Sequence, residues 1–224
     1  MAIALILVIL AFGLAISHGL WLARRLPEPA DGPSLGKLPY AALHSKRRTT
    51  ALILMTATAQ LATFGAPVAM RPLWLIYGAT VAALVWVDAC TTWLPASLSW
   101  LVTVELLAAS AVTLWLSDDR ATLVMRLVAG AGAALAIWWA LWRFSRGGLG
   151  FGDVRLAPLT GAMAATLGAS GWFAGLLIGS ALGVVWGLVI GRRYPAPGTK
   201  GGFAYGPALW AGPYAALALS MLSA

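Results

Sequence analysis

Between Ser97 and Trp142 the chain reads SLSWLVTVELLAASAVTLWL, then SDDR, then ATLVMRLVAGAGAALAIWWALW. Two apolar runs, 97–116 and 121–142, are parted by four polar residues, Ser117 to Arg120. Each run is long enough to cross a bilayer as a helix, for which about 20 apolar residues suffice. The break is only long enough for a hairpin, so the chain crosses and comes back. Asp88 stands before this hairpin and Asp153 after it. Two crossings return a chain to the face it left, so both aspartates are expected near one face.

Outward from the hairpin the apolar density continues. The chain is 61% hydrophobic and 10% charged, with a mean hydropathy of +0.85. That excludes a soluble domain of 224 residues and predicts an all-α polytopic membrane protein. Eight spans are expected, over 2–23, 51–70, 72–90, 97–116, 121–142, 154–170, 172–190 and 204–222. The sixth and seventh are divided near Gly168–Gly171. Residues 1–224 read as a single membrane domain with a basic loop over 24–50 and a core over 50–222. The first apolar run has its arginines, Arg24 and Arg25, after it. A cleavable signal peptide has the reverse order, so this run is expected to stay as a helix.

The net charge is +8, but the basic residues gather in short connections. Loop 24–50 carries Arg24, Arg25, Lys37, Lys46, Arg47 and Arg48; 143–153 carries Arg143 and Arg146; 191–203 carries Arg192, Arg193 and Lys200. With eight spans these three loops share a side, which the positive-inside rule makes cytoplasmic. The charge thus reads as a topology signal and a contact for anionic lipid, with no nucleic-acid partner. Loop 24–50 is rich in proline and glycine and reads as an extended linker that buries no core. Gly175, Gly179, Gly183 and Gly187 recur every fourth residue, a stripe expected to receive another helix of this chain.

A carboxylate among apolar residues is costly, about 2.5–3.5 kcal/mol at a helix centre, and is read as functional by default. Asp153 lies in Gly150-Phe151-Gly152-Asp153, and Asp88 opens Asp88-Ala-Cys-Thr-Thr-Trp-Leu94-Pro95. Two carboxylates brought together can share a proton and activate water, one as base and one as acid. That chemistry is an intramembrane aspartyl protease. Gly150 and Gly152 are expected to admit an extended substrate and to adopt backbone conformations closed to other residues. Pro95 is placed to start the next helix. Arg155 is expected to bias Asp153, bind a lipid phosphate or snorkel outward. The alternative function, an ion- or proton-coupled transporter using the same aspartates, predicts an internal repeat, and none is found in the sequence.

Three stretches resemble the bacterial type IV prepilin peptidase family. Val87-Asp88 followed by Leu94-Pro95 looks like its first catalytic motif. Gly150-Phe151-Gly152-Asp153-Val154-Arg155-Leu156 looks like its second, with Arg155 in place of lysine. Phe203-Ala204-Tyr205-Gly206-Pro207-Ala208-Leu209 is similar to the stretch opening its last helix. The resemblance covers roughly 50–222. It implies an endopeptidase of the cytoplasmic (inner) membrane, facing the cytoplasm, that removes the basic leader of prepilins or pseudopilins destined for type IV pili or type II secretion. It carries catalytic roles onto Asp88 and Asp153. The Asp-to-Leu-Pro spacing favours this kind over presenilin-like proteases. Many family members bind zinc through two Cys-x-x-Cys pairs after the first helix and methylate the new N-terminus. Here Cys90 is the one cysteine, so no zinc, no other metal and no cofactor is expected, and methyl transfer is not carried over.

Other polar residues receive bland readings. Cys90 is expected to be a small buried apolar residue. Glu105 and Arg126, on neighbouring antiparallel spans, are set against each other as a pair, or else Arg126 snorkels and Glu105 is protonated. His18 and His44 are isolated and lack metal-ligand spacing. Trp21, Trp172 and Tyr194 read as interface anchors.

Overall fold

The computed structural model describes residues 2–27, 38–145, 148–193 and 203–222. Among them there is no strand, and eight helices follow in order. Helix α1 is Ala2–Ile16, continued by a π-helical turn over Ser17–Leu22. Then come α2 (Lys46–Thr63), α3 (Val68–Thr91), α4 (Ala96–Leu116) and α5 (Arg120–Phe144). The last three are α6 (Phe151–Ala165), α7 (Gly168–Arg193) and α8 (Gly206–Leu222). Four of these, α3, α4, α5 and α7, are long and apolar enough to cross a membrane.

α3 is the axis of the molecule. Of its apolar window 78% is buried, against 33% for α4, 22% for α5 and 17% for α7. Leucines, valines and tryptophans on those three helices are exposed, among them Trp100, Leu107, Val128 and Leu177. Exposed apolar surface on that scale belongs against lipid rather than water. Inside, side chains give way to backbone. A Cβ on Gly161 would meet the Gly130 carbonyl oxygen at 2.5 Å, so α5 and α6 touch main chain to main chain. The Trp172 indole N–H donates to the same Gly130 oxygen at 3.1 Å. α8 packs along α7 and also touches α6, α3 and α2. The Tyr77 hydroxyl donates to Trp210 O at 3.0 Å and ties α3 to α8.

The glycine stripe on α7 packs within the chain. Gly175 and Gly179 receive the backbone of α8 around Ala208–Pro213, Gly183 takes the Tyr205 ring and Gly187 the Phe203 ring.

Several expectations are corrected. The second helix starts at Lys46, not residue 51, because the Ser45 side chain caps it, accepting the Arg48 N–H at 3.2 Å. Lys46, Arg47 and Arg48 are therefore its first turn rather than loop. It stops at Thr63, before Gly65 and Pro67, rather than at 70. The sixth helix ends at Ala165 and the seventh begins at Gly168, five and four residues earlier than expected. Gly168 takes φ +83°, a left-handed conformation that suits glycine, and turns the chain there. The segment 24–50 is not wholly an unburied linker. Tyr40 and Leu43 lie in a short 3₁₀ turn, Tyr40–Leu43, and are buried against the core. Arg48 Nη1 fastens this turn by donating to Ala42 O at 2.8 Å. Trp172 is half-buried and held by its bond to Gly130. Trp21 stays exposed with Arg25 3.9 Å over its ring. Lys37, Arg146, Tyr194 and Lys200 lie outside the described residues, as do the side chains of Arg24, Arg192 and Arg193.

Candidate active site

Asp88 sits in the last turn of α3 and is 4% exposed. The helix stops just beyond it. Thr92 adopts φ 58°, and its N–H donates to Asp88 O at 2.6 Å. A β-branched residue in that left-handed region is strained, by about 1–3 kcal/mol, and such strain persists where surrounding contacts impose it. Here they do. Thr91 Oγ1 donates to Val87 O at 2.8 Å and accepts the Trp93 N–H at 3.2 Å, drawing the turn back over the helix end. Pro95 then opens α4, and its carbonyl oxygen accepts both the N–H and the hydroxyl of Ser99 at 2.9 Å.

Asp153 sits in the first turn of α6 and is 8% exposed. Its N–H donates to Gly150 O at 3.1 Å. The two glycines act through space rather than through unusual torsions, which corrects the expectation for them. Gly150 has an ordinary extended backbone, φ −75° and ψ 142°. A Cβ there would lie 3.4 Å from Asp153 Oδ2, and one on Gly152 would lie 3.0 Å from the Leu94 side chain. Gly152 is thus where the turn after Asp88 lies down on the start of α6. Arg155 fixes the same junction, donating from Nη2 to Leu94 O at 2.9 Å. Its role is a cross-link between the α3–α4 turn and α6, not the free snorkelling cation considered from sequence.

The head of α8 joins the two carboxylates. The Gly206 N–H donates to Asp88 Oδ2 at 3.1 Å. A Cβ on Gly206 would fall 2.7 Å from that oxygen, so the position admits only glycine without displacing the carboxyl. Asp153 is close enough to Tyr205, the preceding residue, to act on its phenol electrostatically. Tyr205 is held by its hydroxyl, which donates to Ser180 O at 2.9 Å, and by the Trp138 ring 5.4 Å away. Asp88 is thus bonded to Gly206, and Asp153, 65 residues further along, lies in electrostatic range of the neighbouring Tyr205. The sequence reading quoted Tyr205 and Gly206 but gave neither a role. Their signal was a glycine–proline step at a helix start.

Away from this site the structure re-pairs the other buried charges. Glu105 Oε1 lies 2.8 Å from His18 Nε2, and His18 Nδ1 lies 2.8 Å from Leu14 O. Arg126 is exposed and turned toward Asp119, in the α4–α5 hairpin. The Glu105–Arg126 pair is therefore absent. α4 shows Glu105 to α1, while Arg126 reaches the polar hairpin. His18, read as isolated, is buried at that α1–α4 link. Cys90 is half-buried at the end of α3 rather than fully buried, since the last turn emerges from the helix packing. Among the described residues no cluster of three or more His, Cys, Asp or Glu is placed to hold a metal ion.

No family model matches this chain, and neither a curated protein nor a solved structure does.

Proposed function

We propose that the chain is an intramembrane aspartyl endopeptidase of the prepilin-peptidase kind, with Asp88 and Asp153 as its carboxylate pair. It crosses a bacterial cytoplasmic membrane eight times, opens its active site to the cytoplasm, and cuts the leader from prepilins or pseudopilins. The observation that carries this reading is a pair of buried carboxylates at helix ends, Asp88 in the last turn of α3 and bonded to Gly206, and Asp153 in the first turn of α6 within electrostatic range of Tyr205.

The dimensions of α6 support it. Fifteen residues rise only about 22 Å, short of the ~30 Å hydrocarbon core. Ten of those fifteen residues are buried, so protein rather than lipid surrounds the helix. An end of so short a helix lies below the membrane surface, and Asp153 is in its first turn. Non-helical backbone at that depth is tolerated where it is buried in protein or lines a wet cavity, which suits Gly148–Gly150. A peptide bond brought to this depth meets water only where polar groups hold it.

Hydrolysis divides the labour between the two acids. One carboxylate takes a proton from water as the water oxygen bonds to the scissile carbonyl carbon. The protonated partner donates to the carbonyl oxygen. As the tetrahedral carbon collapses, the C–N bond breaks and the leaving amine takes a proton. The two acids titrate as a unit, so the proton belongs to the pair. Gly206 N–H orients one Asp88 oxygen throughout.

A cleavage assay tests this. Co-reconstituted prepilin with a basic leader and a Gly-Phe junction is the substrate, and the product N-terminus is read by mass spectrometry. Asp88→Asn and Asp153→Asn are each expected to lower cleavage by about 10³-fold or more, the range of positioned acid–base groups. Activity surviving in either folded variant removes that residue from the chemistry.

A further inference from the structure

A cavity of about 560 Å³ lies between α4, α5 and α6. Its walls are almost wholly apolar, and Arg155 is the one charged residue that lines it. Along α4 it runs from Ser99 to Leu114, fifteen residues or roughly 22 Å of helix. Arg155, Phe151 and Ser99 mark one end, at the start of α4 and α6. Leu114, Val124 and Leu73 mark the other, by the α4–α5 hairpin and the start of α3. Trp100, Leu107 and Val128 on its rim are exposed, so it opens sideways, toward the surroundings of the helices.

Its shape selects the occupant. Long, slim and almost wholly apolar, it suits a single alkyl chain. The depth exceeds the ~15 Å of one hydrocarbon leaflet, so a chain can run its full length inside. The Arg155 end faces the side of the basic connections, toward the headgroups of that leaflet. Arg155 keeps donors for a guest. Nη2 is bonded to Leu94 O, and Nε is buried with no partner among the described residues. A guanidinium has five N–H donors and no acceptor, and matches a phosphate.

We propose that this cavity is a specific phospholipid site, holding one acyl chain between α4, α5 and α6 and the phosphodiester on Arg155. Because the same guanidinium holds Leu94 O, the lipid is continuous with the turn that follows Asp88. The proposal rests on the chain lying in a membrane and not on its being a peptidase, so the two fail separately.

Full-length protein, stripped in detergent and then given dioleoyl phosphatidylglycerol or the phosphate-free dioleoylglycerol, is read by native mass spectrometry. One phosphatidylglycerol is expected to be retained, at least tenfold better than the diacylglycerol. Ala131→Trp, which fills the cavity, is expected to cut retention at least tenfold. Arg155→Gln is expected to abolish the preference for the phosphate. Equal retention of both lipids by the unaltered protein, or unchanged retention in folded Ala131→Trp, overturns the proposal. A readout on the unaltered chain guards against misfolded variants. Phosphatidylglycerol with a photoreactive acyl terminus is expected to cross-link near Leu114 and Val124, and cross-links scattered over the outer faces of α7 and α8 refute the site. Cross-linking of a prepilin helix into the cavity in place of lipid also refutes it.

Discussion

Gly206 has no side chain with which to do chemistry, yet the geometry around Asp88 depends on it. The added methyl of Gly206→Ala meets the Asp88 carboxyl at 2.7 Å, so the carboxyl must turn or the head of α8 must move. Cleavage is expected to fall at least tenfold in kcat with the fold intact, since a misplacement of about 1 Å is worth about that much or more. Gly132→Ala, where nothing lies within 4 Å, is the matched control and is expected to leave kcat unchanged. A second expectation concerns His18 and Glu105. Glu105 is only partly buried, so losing its hydrogen-bond partner costs about 1–3 kcal/mol, whereas an apolar replacement of both is near neutral. His18→Leu is expected to destabilise by an amount in that range, and His18→Leu with Glu105→Met to recover most of it, measured by denaturation in mixed micelles. If the double variant is as unstable as the single one, the pair is not what links α1 to α4. Asp88 and Asp153 were legible in the sequence because a carboxylate in an apolar stretch is costly and so stands out. The His18–Glu105 pair was not, because its partners lie 87 residues apart and no local pattern joins them.

At the scale of elements, the helices were legible as apolar runs; eight helices are found, four of them long and apolar enough to span. Their ends were less so, because a helix begins at its cap and not at its first apolar residue. Ser45 shows this for α2, and Gly168 shows the converse at the α6–α7 turn. The order of packing was only partly legible. Four glycines in register on α7 declared a face, whereas Gly130 and Gly161 belong to no such stripe and meet only in space. Their contact makes a prediction. Gly161→Val forces branched bulk between two backbones and is expected to destabilise the protein by about 1–3 kcal/mol or more, as overpacking does. Gly132→Val, on the open side of α5, is expected to cost nothing, since there is space for it and valine is a better helix former than glycine. Comparing thermal unfolding of the two in the same detergent checks it. Equal midpoints would mean that α5 and α6 are free to separate.

At the scale of the whole molecule, what matters is that the chain brings both carboxylates to one face. α4 and α5 separate Asp88 from Asp153, and an even number of crossings is the condition for their meeting. The four helices long and apolar enough to span include this pair, whereas α2, α6 and α8 fall outside that set, and their crossing belongs to the proposal. Topology is therefore the sharpest global test. With Cys90 replaced by serine, single cysteines are placed at three exposed positions, His44→Cys, Asp118→Cys and Gly148→Cys. A membrane-impermeant maleimide is applied to right-side-out and inverted vesicles. Cysteines at 44 and 148 are expected to react from the cytoplasmic side, since α2 to α5 make four crossings between them. The cysteine at 118, in the α4–α5 hairpin, is expected to react from the opposite side. The basic first turn of α2 orients the set, and its three cations stay on the side where the leader of a prepilin is found. Labelling of 118 and 148 from the same side would mean that α5 does not cross, and would leave Asp88 and Asp153 without a shared face on which to act.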